Sequence, residues 1–75
     1  MERKVYSEEL AGIKQLTLEM GRKAVESVKL AAQALLENNV EVAAKARALE
    51  KEVDAIYLTI DDRCVVSIAK QQPMA

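Results

Sequence analysis

The chain has 75 residues, eleven of them basic and twelve acidic, a formal net charge of −1 and a hydrophobic content of 51%. That balance offers no basic footprint for a nucleic-acid backbone, and the single cysteine, Cys64, excludes an internal disulfide. With no histidine, the commonest general base near neutral pH and the commonest metal ligand are both missing, so any chemistry must rest on carboxylates.

The first predicted helix covers about residues 7–37. Ser7 can accept from a free backbone N–H at its start, and Glu8 and Glu9 suit the positive end of the helix dipole. Apolar or small side chains recur at Leu10, Ile13, Thr17, Met20, Ala24, Val28, Ala31 and Leu35, and these steps of three and four describe one helical face. Gly21 either admits a neighbouring helix closely or is tolerated at a cost of roughly 1 kcal/mol against alanine.

Asn38 and Asn39 end this helix, because asparagine accepts left-handed and capping conformations. Asn39 then caps a second helix over about residues 40–71. Val42, Ala46, Leu49, Val53, Ile56 and Ile60 step by alternating fours and threes, the seam pattern of antiparallel helices. From Ile60 the rhythm turns to fours through Cys64 and Ile68, which predicts a shift of the contact face. Pro73 disfavours helical geometry in the residue before it and stops the helix. Glu19 with Lys23 and Glu41 with Lys45 are predicted as favourable four-apart pairs.

The fold class is therefore all-α, a long antiparallel helical hairpin. A domain of this size buries only about 60% of the surface its unfolded chain exposes. Two such helices carry more aliphatic surface than they can hide from each other, which predicts a homo-oligomer, in the simplest case a dimer forming a four-helix bundle. No apolar run approaches the roughly 20 residues needed to span a bilayer, and no signal-like segment opens the chain, so a cytoplasmic setting is expected.

Acidic residues border the second helix's seam. Glu50 and Asp54 lie one turn apart, with Asp61 and Tyr57 within about 40° of Glu50 on the helical wheel. Carboxylates so spaced can converge on one hard cation, given partners from another helix. The plainer reading is that they are solvated or paired with a basic neighbour, and Asp61-Asp62-Arg63 reads the same way. Cys64, in the seam register, reads as a small core residue.

Four stretches point further: the opening "MERKVYSEEL", the helix end "ALLENN", the acidic "EKEVD" and the closing "DDRCVVSIAKQQPMA". Together they resemble the PhoU regulators of phosphate uptake, archaeal members in particular, over nearly the whole chain. The resemblance implies the first two helices of a three-helix repeat, with the third helix absent, and hence a truncated or unusually short member. It also implies multinuclear iron or zinc bound through Glu/Asp-x-x-x-Asp motifs, of which Glu50 and Asp54 match the one on the second helix. The matching motif of the third helix is missing, so half of the ligand set is expected here.

By the same resemblance the protein is expected to regulate phosphate uptake without turning over a substrate, through contact with a phosphate-transporter or sensor protein, and to meet the membrane only through such partners. The alternative is a helical oligomerisation module of another transport regulator, such as one for potassium. An enzyme of carboxylate-bridged metal chemistry is the weakest reading, since the Glu-x-x-His pairs of four-helix di-iron sites need histidine.

Overall fold

The computed structural model describes residues 2–72 and places two helices, α1 at Arg3–Glu37 and α2 at Val40–Gln71. They run antiparallel over their full length, as two adjoining rods within a body of 58 × 20 × 12 Å. The all-α hairpin is thus the observed architecture, and what remains is how the two rods meet.

Why the rods turn where they do follows from the asparagine pair. Asn38 adopts the left-handed conformation, φ 51° and ψ 47°, and its N–H turns back to Leu35 O, while the Asn39 N–H reaches Ala34 O at 2.9 Å. Asparagine tolerates this region better than other side-chain-bearing residues. Asn39 is extended, and its Oδ1 accepts from the N–H groups of Glu41 at 3.0 Å and Val42 at 3.2 Å, satisfying two donors the second helix would otherwise leave open.

The start of α1 differs from the expectation at Ser7. Glu2 is the N-cap, with no side-chain bond, and its carbonyl accepts from Tyr6 N–H at 2.9 Å. Ser7, Glu8 and Glu9 therefore lie inside the helix. Arg3, Lys4, Val5 and Tyr6 contain no breaker, so nothing stops the helix from extending back past the serine. At the other end Gln72 is extended, φ −66° and ψ 134°. The expected stop at Pro73 lies outside the described residues.

The seam of α2 runs through Val42, Ala46, Leu49, Val53, Ile56, Ile60 and Cys64, all buried or half-buried. Beyond Cys64 the expected drift to Ile68 does not occur. Ser67 is buried at 6% exposure while Ile68 stands 60% exposed. Ser67 lies one heptad beyond Ile60, so the original seam is resumed there and the contact face does not move.

On α1 the observed seam is Ile13, Leu16, Met20, Ala24, Ser27, Leu30 and Ala34. Of the predicted face only Ile13, Met20 and Ala24 meet α2, whereas Leu10, Thr17, Val28, Ala31 and Leu35 are exposed. The reason is width: the apolar and small residues of α1 cover about two thirds of its circumference, more than one partner helix can occlude. A stripe drawn through the middle of that arc runs along the margin of the contact.

The helices approach closely near the turn, where Ala34 and Ala46 are 8% and 7% exposed and Ser27 Oγ donates to the Ala46 carbonyl at 3.1 Å. Farther along, Lys23 Nζ donates to Glu52 Oε1 at 2.9 Å across the helices and lies 4.0 Å from Glu19 Oε1 on its own helix. These are the ion pairs among the described residues, and the expected Glu41–Lys45 pair is not one of them. Near the open end the Arg63 guanidinium crosses to α1, so close that a Cβ on Gly12 would lie 3.5 Å from Nη1.

Candidate functional site

Glu50 and Asp54 are both exposed on α2, one turn apart, with Glu50 at the edge of the seam and Asp54 farther round. Glu50 stands at the lip of an open groove of about 420 Å3 between the helices near the turn. Alanines 31, 34, 43 and 46 supply its apolar floor, and Arg47, one turn before Glu50, supplies a cation on the same wall. The groove exists because small side chains there let the helices close together without filling the surface above them.

Among the described residues no three of His, Cys, Asp and Glu converge as a metal site. Two carboxylates spaced by one turn still fit a hard cation as one edge of its oxygen sphere, while iron, zinc or magnesium needs more donors than two side chains provide. The donor chemistry therefore suits half a site, to be completed by carboxylates from a further helix. Asp61 and Asp62 are exposed beyond Asp54 and extend the acidic margin. Arg63 is exposed with them, and its guanidinium lies over Gly12. Cys64 is half-buried in the seam, as a core residue would be.

Among the described residues, Lys23 is the group whose ionisation the fold shifts. Its hydrogen bond to Glu52 raises it above the usual lysine range, desolvation opposes this, and the charges of Glu52 and Glu19 add to the rise. Lysine 29 positions from its partner in sequence gives no local signal, so this pairing was invisible to four-apart rules.

The aliphatic surplus expected from the sequence is concentrated by the fold at a place the sequence did not indicate. Leu35, Leu36 and Val40 are 83%, 87% and 81% exposed and cluster around the turn. Leu35 and Val40 rim the groove that holds Glu50. Large apolar side chains gathered so openly mark a contact surface. No helix among the described residues is long and apolar enough to cross a membrane.

Comparison with known proteins places this geometry. The PhoU domain matches residues 17–75. Over 74 residues the chain is 36% identical to the phosphate-specific transport system accessory protein PhoU homolog of Synechocystis sp., which covers 99% of this chain and 33% of that protein. The chain thus spans about a third of the length of that curated relative. No solved structure matches the chain. With a domain match over most of its residues and an alignment to a PhoU homologue that covers 99% of it, this hairpin belongs to the PhoU family.

Proposed function

We propose that the chain is a regulatory, non-enzymatic element of phosphate uptake, acting on the cytoplasmic side by docking onto a component of a phosphate transport or sensing system. The observation that carries this reading is the 36% identity with an accessory protein of a phosphate-specific transport system over 99% of the chain. The surface that suits docking is the turn end, where Leu35, Leu36 and Val40 stand open beside the groove. The uncovered apolar margin of α1, at Leu10, Val28 and Leu35, suits a second copy packed face to face in a four-helix bundle.

Metal binding is part of the proposal. Glu50 and Asp54 would hold one edge of an iron or zinc ion, and the bound ion would supply a fixed positive charge for anionic partners. Purified protein would then carry metal below one equivalent per chain, and Glu50→Gln with Asp54→Asn would lose it on elemental analysis.

The decisive test is genetic. Deleting the gene should raise phosphate uptake in phosphate-replete cells, and the wild-type gene should restore restraint. Leu35→Asp with Val40→Asp should fail to restore it while keeping helical circular dichroism. Unchanged phosphate uptake and transporter expression in the deletion strain, replete and starved, would defeat the reading.

A further inference from the structure

Each helix carries, on the side turned away from its seam, a second four-residue row. On α1 it is Leu18, Arg22, Val25 and Lys29, and on α2 it is Asp54, Leu58, Asp61 and Val65. Both rows step by four, three and four, and each therefore occupies an arc of only about 60°. The first arc is centred about 170° from the seam of α1 and the second about 130° from that of α2, so they form the two outer margins of the hairpin. All eight residues are exposed; Leu18, Val25, Leu58 and Val65 are between 56% and 65% accessible.

The two rows are complementary when laid antiparallel. Leu18 then opposes Val65, Arg22 opposes Asp61, Val25 opposes Leu58 and Lys29 opposes Asp54. Apolar faces apolar and cation faces anion at every position of the row. Sliding the register by one heptad keeps Leu18 with Leu58 and Arg22 with Asp54, but sets Lys29 against Arg47 and Val25 against Lys51. Like charges opposed across helices disfavour that second register, so the first is selected by charge.

The margin of α1 also has room for an incoming helix. An open hollow of about 510 Å3 lies there, lined by Leu18, Gly21, Arg22, Val25 and Lys29 among others. A Cβ on Gly21 would meet nothing within 4 Å, so the hairpin's own packing does not require glycine at this position. Its effect is to leave the flank of the row beside Leu18 and Arg22 without a side chain, so that nothing there obstructs an approaching helix.

We infer that the α1 margin of one copy binds the α2 margin of a second copy through these two rows. The rows lie on opposite margins of one hairpin, so the contact is heterologous and joins copies side by side in an open series, displaced along the helix axes by about one heptad. The charge complementarity of the rows selects a second copy of the chain as the occupant. The contact is small and half electrostatic, so it is weak and salt-sensitive. It does not depend on the phosphate reading, and it uses a surface distinct from the turn-end cluster.

Sedimentation equilibrium of the full chain tests this, in chelator because Asp54 also belongs to the candidate metal pair. A concentration series reaching about 1 mM spans the range in which an interface of under about 1,000 Å2 associates. Wild type should grow in mass with concentration beyond its smallest unit, be that a hairpin or a face-to-face pair, and shrink as salt rises. Arg22→Asp with Lys29→Asp should hold the chain at that smallest unit, and so should Asp54→Lys with Asp61→Arg. Mixing the two variants should restore the large species, because each then offers the row the other needs. In a Cys64→Ser background, Val25→Cys with Leu58→Cys should oxidise to a disulfide ladder between copies. Wild type that never exceeds its smallest unit, reversals that leave the distribution unchanged, or variants that fail to co-assemble would each overturn the inference.

Discussion

Asn39→Ala isolates what holds the hairpin's bend. The substitution removes Oδ1, which accepts from the N–H groups of Glu41 and Val42 at 3.0 and 3.2 Å. The Glu41 amide is exposed, and water replaces most of that bond; the Val42 amide is half-buried, so its loss carries most of the cost. Removing an asparagine cap costs about 1 kcal/mol, against a total stability of roughly 4–11 kcal/mol for a chain of this length. The backbone bonds at the bend, from Asn39 N–H to Ala34 O and from Ala43 N–H to Asn39 O, survive the change. With a urea slope of about 1 kcal/mol/M, the midpoint should fall by about 1 M, and thermal unfolding should shift down by roughly 4–8 °C. Circular dichroism at one fixed protein concentration reads both, since association would move the midpoint by mass action. Asn39→Asp keeps the acceptor and adds a charge at the positive end of α2, so it should be neutral or stabilising. An Asn39→Ala chain that unfolds at the wild-type midpoint, or an Asn39→Asp chain as unstable as the alanine variant, would refute the assignment of that oxygen as the cap.

The Lys23–Glu52 pair makes stability fall at alkaline pH. Lys23 is raised above its unfolded value, so its contribution is complete below the ordinary lysine pKa of about 10.4 and is lost as pH rises through the folded value. The urea midpoint of wild type should therefore drop more steeply above about pH 10 than that of Glu52→Gln, in which the same titrations proceed without the carboxylate. At Ala46, 7% exposed and contacted through its carbonyl by Ser27 Oγ, leucine must push the helices apart. Ala46→Leu should destabilise by about 1–3 kcal/mol, whereas Ala44→Leu, on the exposed side of the same helix, should be near neutral; equal midpoints for the two would refute the close approach at the turn.

The carboxylate pair was legible in the sequence because one turn of a helix sets the relation of Glu50 to Asp54 whatever else the chain does. Arg47 and the exposed Leu35 and Val40 around it were not, because they belong together only once the bend brings α1 and α2 into one groove. The family likeness rested on contiguous stretches of residues, which survive without any knowledge of packing, and the domain match over residues 17–75 bears it out.

Local chemistry settled the elements themselves: two helices, the left-handed Asn38, the capping Asn39, and a second helix in which Val42, Ala46, Leu49, Val53, Ile56 and Ile60 repeat by fours and threes along the face that meets α1. Tertiary structure decided which part of α1 that face would meet. Its apolar arc is too broad for periodicity to choose between Leu10, Val28 and Leu35 on one margin and Leu16, Leu30 and Ala34 on the other. The choice fell to the side where small residues near the turn let the backbones close and where Lys23 could reach Glu52. Both depend on residues far apart in the chain, and such pairings acquire a free energy only when the two helices are already side by side.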